Sequence, residues 1–279
     1  MNTITNKTIW EYRKYLAECE KSQATIEKYI RDVSVFAMWL GNRKLSKETV
    51  LKYKESLISK YAPASVNAAL SSLNNFFAYN KWYHLKVKTI RIQKQLFMSG
   101  EKELTKAEYE RLLTAAKQNG NEKLYYIMQT ICATGIRVSE LKFITLKSLY
   151  DRAASVNLKG KIRIIIIPSK LCKMLLKYAK KEKITGGSIF VSKNGSPIDR
   201  TSIWKLMKSL CEKAKVAKEK VFPHNLRHLF ARTFYEVQKD IVRLADILGH
   251  TSVNTTRIYT METGNVHRKQ IETLKFLRC

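Results

Sequence analysis

The chain has 279 residues, 45% of them hydrophobic, and carries 52 Lys plus Arg against 23 Asp plus Glu, a formal net charge of +29 at pH 7. That length accommodates one large domain or two ordinary ones with a proper apolar core. No run approaches the roughly 18 uninterrupted apolar residues of a membrane span. The opening "MNTITNKTIWEYRKYL" lacks the basic-then-apolar pattern of a secretory signal. Five cysteines with no CxxC pair argue against a disulfide framework or a zinc site, and for a reducing, cytoplasmic setting. The excess positive charge points to a polyanion partner, most simply nucleic acid.

The first 80 residues read as helices. "TIWEYRKYLAE" is followed by "SQATIEKYIRDVSVFAMWLG", which opens on Ser22, carries Ile26, Ile30, Val33, Phe36 and Leu40 at helical spacing, and ends at Gly41. "SKETVLKYKESLIS" begins at Ser46 with an imperfect capping box. "APASVNAALSSLNNFFAYNKWY" sets Val66, Leu70, Leu73 and Phe77 on one stripe. Residues 81–102 are basic, aperiodic and contain Gly100, so they read as an interdomain linker. Helices resume in "TKAEYERLLTAAKQ" and "EKLYYIMQTICATG". "ASVNLKGKIRIIIIPSK" then predicts a hairpin turning at Lys159-Gly160-Lys161, with Ile164 to Ile167 a continuous apolar strand stopped by Pro168. More helices follow to the end. The fold class expected is mainly α with a small β-hairpin (α+β): a helical domain over 1–80, a linker over 81–102 and a second domain over 103–279.

The chemistry-bearing residues cluster late. In "FPHNLRHLFA", Pro223 suits the first helical turn, and His224, Arg227 and His228 then share one face. Their helix N-terminus favours an anion such as phosphate. His250 follows Gly249, a natural helix stop, and Tyr259 lies nine residues further on. Upstream, "ATGIRVSEL" sets Arg137 just after a Thr-Gly break. Each residue alone has an ordinary reading as a surface charge, a cap or a packing aromatic. Together they are the parts needed for attack on a phosphodiester by a tyrosine hydroxyl. Arginine forks match phosphoryl oxygens, histidines donate to those oxygens or move a proton, and a hairpin lysine supplies the leaving oxygen's proton.

"ATGIRVSEL", "HNLRH", "LGH" and "TTRIYT", in this order and spacing, resemble the motifs of the tyrosine recombinases, the phage-integrase family that includes the Xer recombinases. The resemblance extends over essentially the whole chain, because the N-terminal unit is similar to the family's core-binding domain. It implies that Arg137 and Arg227 clamp the scissile phosphate, that His224 and His250 complete the pocket, and that Tyr259 forms a 3′-phosphotyrosyl bond with DNA. Glu140 matches the acidic residue supporting the pocket, and His228 a position that packs beside or supports it. Family hairpins often read GKGxKxR where this chain reads "LKGKIR", one residue shorter. Aligning the Lys-Gly pair makes Lys159 the general acid; aligning backwards from Arg163 makes it Lys161.

The expected activity is site-specific recombination of double-stranded DNA without ATP, metal or another cofactor. No GxxxxGK[ST] loop or dense carboxylate cluster is present in the sequence. The expected assembly is a monomer in solution and a homo-tetramer on paired DNA sites, joined through the tail "NVHRKQIETLKFLRC" with Ile271, Leu274 and Leu277 on one stripe. The expected location is the cytoplasm, on the nucleoid. A type IB-like topoisomerase would use a similar pocket; a non-catalytic DNA-binding regulator or decayed recombinase would keep the charge without needing the six polar groups. An RNA-binding role is the weakest alternative, with no RRM-like aromatic motif.

Overall fold

The computed structural model describes residues 3–91, 102–158, 161–192, 194–250 and 252–259. The chain divides into two compact units, Met1–Lys94 and Gln95–Cys279. Within the described residues no helix is long and apolar enough to cross a membrane.

The first unit is built from helices α1 (Asn6–Glu18), α2 (Gln23–Leu40), α3 (Lys47–Ile58) and α4 (Pro63–Tyr79). A capping box on Thr5 starts α1, the Ser46 hydroxyl accepts from the N–H of Thr49 to start α3, and Pro63 occupies the first turn of α4. The predicted stripes face inward: Ile26, Val33 and Phe36 of α2 meet Val66, Leu70, Leu73 and Phe77 of α4 in one core with Tyr12 and Leu16. The stretch after α4 also packs here. Residues Tyr83–Leu85 form a 3-10 turn, and Leu85 and Val87 join the same core.

Two asparagines one heptad apart on α4 hold the backbone beyond. Asn74 accepts from the N–H of Val87 at 2.9 Å and donates to its carbonyl at 2.8 Å; Asn67 accepts from the N–H of Ile90 at 2.7 Å and donates to its carbonyl at 2.9 Å. From α3, Lys47 donates to the Lys86 carbonyl and Lys54 to that of Lys88. The side chains thus supply the pairing that a neighbouring strand would.

The second unit opens with α5 (Lys106–Gln118) and α6 (Glu122–Thr134), then a 3-10 segment Val138–Phe143 and the short α7 (Leu146–Tyr150). Strands β1 (Ala153–Leu158) and β2 (Lys161–Ile166) form an antiparallel pair with Leu158 opposite Lys161. Helices α8 (Ser169–Lys181), α9 (Arg200–Lys208), α10 (Cys211–Ala214), α11 (Pro223–Gln238), α12 (Ile241–Leu248) and α13 (Val253–Thr256) follow, and a 3-10 turn spans Arg257–Tyr259.

The hairpin divides the apolar strand between its two faces. The isoleucine run is not uniformly buried: Ile165 and Ile167 enter the core, while Ile162, Ile164 and Ile166 are exposed. Strand alternation, with period 2, overrides the continuous apolar pattern. Lys159, the side chain of Lys161, and the tail with Ile271, Leu274 and Leu277 lie outside the described residues.

Candidate active site

Three chain reversals set up the pocket. Helix α6 ends at Gly135 in the left-handed conformation (φ +64°), where a Cβ would overlap the Phe230 ring of α11. Arg137 follows at once and begins the 3-10 segment. Helix α11 starts with Pro223 in its first turn after an extended Phe222, which brings His224, Arg227 and His228 to one face. Helix α12 ends at Gly249, again left-handed (φ +63°), and delivers His250.

Arg227 is 1% exposed and lies at the centre. Its Nη1 donates to the Gly135 carbonyl at 2.6 Å, and its Nη2 to the Leu248 carbonyl at 2.8 Å and to Nε2 of His250 at 3.0 Å. One guanidinium thus joins the ends of α6 and α12. Burial, and then the charge of Arg137, pull its pKa down to about 10, so it stays cationic at neutral pH. The Tyr259 phenol interacts with the same guanidinium and opposes that fall.

The His250 tautomer follows from its partners. A guanidinium has no acceptor, so Nε2 of His250 accepts from Arg227. A neutral ring then carries its proton on Nδ1, which donates to the Thr256 hydroxyl at 2.9 Å. Burial and the charges of Arg227, Arg137 and Arg163 push the His250 pKa down to about 4, which keeps the ring neutral. Burial, then His224 and the charges of Arg232 and Arg227, bring His228 to about 4 as well. His224 is shifted downward by burial and by Arg227, Arg137 and Arg200. All three imidazoles are therefore poised as neutral bases or hydrogen-bond partners, not as resident cations.

Tyr259 is buried. Its ring meets His228 edge-on at 4.7 Å between centroids and lies parallel to His250 at 6.0 Å, while His228 also meets His224 edge-on at 4.5 Å. His228, expected to pack beside or support the pocket, touches the tyrosine directly. Arg137 is the open side of the pocket, its side chain 43% exposed. Glu140, buried one 3-10 turn on, accepts from the Arg137 backbone N–H at 2.7 Å and from its Nη1 at 3.1 Å. The structure thus gathers Arg137, Glu140, His224, Arg227, His228, His250 and Tyr259 around one place.

Residues 102–265 match the model of the phage integrase family, and residues 9–84 match that of the phage integrase N-terminal SAM-like domain. The chain belongs to the phage integrase family.

It is a site-specific DNA recombinase, a DNA strand transferase of the tyrosine type. It is 27% identical to tyrosine recombinase XerA of Pyrococcus furiosus, over 99% of this chain and 96% of that protein. Its fold is similar to that of a lambda integrase dimer bound to a COC′ core site (TM-score 0.75, 20% identity, 91% of this chain and 94% of that one). It is also similar to XerH recombinase bound to difH substrate (TM-score 0.70, 16% identity, 99% and 85%).

Two pocket residues escape the sequence reading of this recombinase. Thr256 fixes His250, and nothing in "TTRIYT" separates it from its neighbour Thr255. Arg163 is a second partner of Glu140. A signal for it exists: on β2 it shares the inward face with Ile165, and a charge on a buried face demands a partner.

Proposed function

We propose that Tyr259 is the nucleophile of this recombinase and that Arg137, His224, Arg227 and His250 bind the scissile phosphate. In the proposed step the Tyr259 oxygen forms a bond to phosphorus, and the bond from phosphorus to the 5′ oxygen breaks. The phenolic proton leaves to a neutral imidazole of the pocket, and the 5′ oxygen takes a proton from Lys159, with Lys161 as the alternative donor. The product is a 3′-phosphotyrosyl linkage, and attack by a 5′ hydroxyl reverses the chemistry on a new partner strand. One phosphodiester is exchanged for another, so the cationic side chains supply the electrostatic stabilisation and no ATP is consumed.

The observation that carries this reading is the buried contact set of Tyr259 with Arg227, His228 and His250. A tyrosine on a solvent-facing turn would be free of all three. The reading extends to a homo-tetramer on two paired duplex sites, joined through the apolar stripe of the tail, and to action on nucleoid DNA in the cytoplasm.

A nicked suicide duplex cut from the DNA flanking the gene tests it. Wild type yields a protease-sensitive, slow-migrating band on a denaturing gel, and Tyr259→Phe, which keeps the ring contacts, yields none. A band of equal strength from the Phe variant would remove Tyr259 from the role.

A further inference from the structure

Glu140 holds one negative charge for two arginines. Its Oε2 accepts from Nη2 of Arg163 at 2.5 Å as well as from the Arg137 backbone, while its Oε1 takes Nη1 of Arg137. The carboxylate is 2% exposed and the Arg163 side chain 14%. The other arm of the Arg163 fork, Nη1, donates to the Ile247 carbonyl at 2.8 Å, in the last turn of α12. The stem of the same side chain runs under Gly249, where a Cβ would overlap its Cδ. His250 is the next residue. One guanidinium on β2 therefore touches both the carboxylate that orients Arg137 and the helix end that presents His250.

We infer that Arg163 is a positioning residue for strand cleavage: it sets Arg137 through Glu140 and His250 through the end of α12, without contacting the phosphate. The inference rests on the assignment of Arg137 and His250 to the phosphate pocket. A buried carboxylate needs compensation on both oxygens. With Arg163 present, Glu140 draws a single side-chain N–H from Arg137, and the remaining donors of that guanidinium stay available for phosphate. With Arg163 removed, Oε2 loses its guanidinium partner, and Arg137 is the cation beside it. The half-exposed Arg137 guanidinium is then drawn down onto the carboxylate and away from the phosphate. Lysine in place of Arg163 keeps the charge but lacks the fork that reaches Glu140 and Ile247 together.

The test uses the full-length protein, single-turnover cleavage of the nicked duplex, and two forms of the scissile linkage: the natural phosphodiester and a methylphosphonate, whose missing negative charge lowers the demand for an arginine clamp. Arg163→Met is expected to slow adduct formation on the phosphodiester by about 100-fold, the scale of a small misplacement in a catalytic pocket, with DNA binding changed less than about threefold, because phosphate contacts along the rest of the duplex remain. Arg163→Lys is expected to recover only part of the rate. On the methylphosphonate the gap between wild type and both variants is expected to close to a few-fold. An equal loss on both substrates would mark Arg163 as a residue that merely holds the fold, and an unchanged rate on the phosphodiester would overturn the inference outright. Absence of a tyrosine-dependent adduct from wild type on the natural linkage would instead count against the active-site reading, which separates the two failures.

Discussion

The carbonyl of Gly135 receives the Nη1 of Arg227 at 2.6 Å, so the end of helix α6 and the second turn of helix α11 are joined by the guanidinium at the centre of the candidate site. Arg227 is a structural tie as much as a charge. Its removal strands the Gly135 and Leu248 carbonyls, at about 1–3 kcal/mol for each buried acceptor left unpaired.

Arg227→Met is therefore expected to lower the thermal midpoint by roughly 5–15 °C, using about 2–4 °C per kcal/mol for a domain of this size. Arg137→Met removes a side chain that is 43% exposed and leaves one oxygen of Glu140, Oε1, without its Nη1 partner, while Oε2 keeps Arg163. It strands one buried acceptor where Arg227→Met strands two, and is expected to lower the midpoint by about half as much. Both variants are expected to lose adduct formation. Thermal melts of the two proteins side by side decide the point; equal melting temperatures would show that the Arg227 ties contribute nothing to the fold.

Gly135 and Gly120 have nearly the same backbone, φ +64° and +67°, but differ in surroundings. A Cβ at Gly120 meets nothing within 4 Å, whereas one at Gly135 meets the Phe230 ring. Gly120→Ala is expected to cost about 1 kcal/mol, the strain of a left-handed alanine. Gly135→Ala adds an overpacking term of about 1–3 kcal/mol and displaces the carbonyl that holds Arg227. Urea midpoints give the difference, and cleavage should fall only in the second variant.

His228 and His250 are each pushed down to about 4, mainly by burial. An unfolded histidine titrates near ~6.5, so between those values the unfolded chain binds more protons than the folded one. Stability is then highest above about pH 6.5 and is lost progressively as pH falls toward 4. Urea unfolding at pH 7.0, 6.0 and 5.5 should show the decline, ahead of ordinary carboxylate titration. A His228→Gln, His250→Gln double variant with an undiminished decline would assign it elsewhere. A phosphate-bearing ligand in the pocket brings negative charge and should raise the His250 pKa, visible in its imidazole NMR resonances.

The two asparagines of α4 make a separate prediction in the first unit. Asn74→Ala strands the N–H and carbonyl of Val87, and Asn67→Ala those of Ile90, each at about 1–3 kcal/mol. Amide hydrogen exchange should accelerate at least tenfold at the affected residue and little across the core of α2. Uniform acceleration over the whole unit would mean that the strap opens only with global unfolding.

Local signals in the sequence carried most of the fold. The α2 stripe from Ile26 to Leu40, the proline at the start of α11 and the glycines ending α6 and α12 each reflect interactions within a few residues, and each sits where its pattern predicts. The shared face of His224, Arg227 and His228 was legible for the same reason. What the sequence did not convey was long-range or ambiguous in period. The isoleucine run read as uniformly apolar, and pairing with β1 is what turns alternate members outward. Arg163 meets Glu140 across 23 residues and Ile247 across 84, and Asn67 meets Ile90 across 23. No spacing rule reaches that far.

The double duty of Arg227 also bears on how a recombinase of this kind would decay. A lineage freed from selection for recombination, but still needing a DNA-binding protein, could shed the half-exposed Arg137 at a smaller cost to folding than Arg227. It could not shed Arg227 without disconnecting the ends of α6 and α12. The buried arginine would outlast the reaction it is proposed to serve. Among inactive descendants, the position to inspect for loss of function is the exposed arginine, because the one at the centre of the motif is retained by the fold itself.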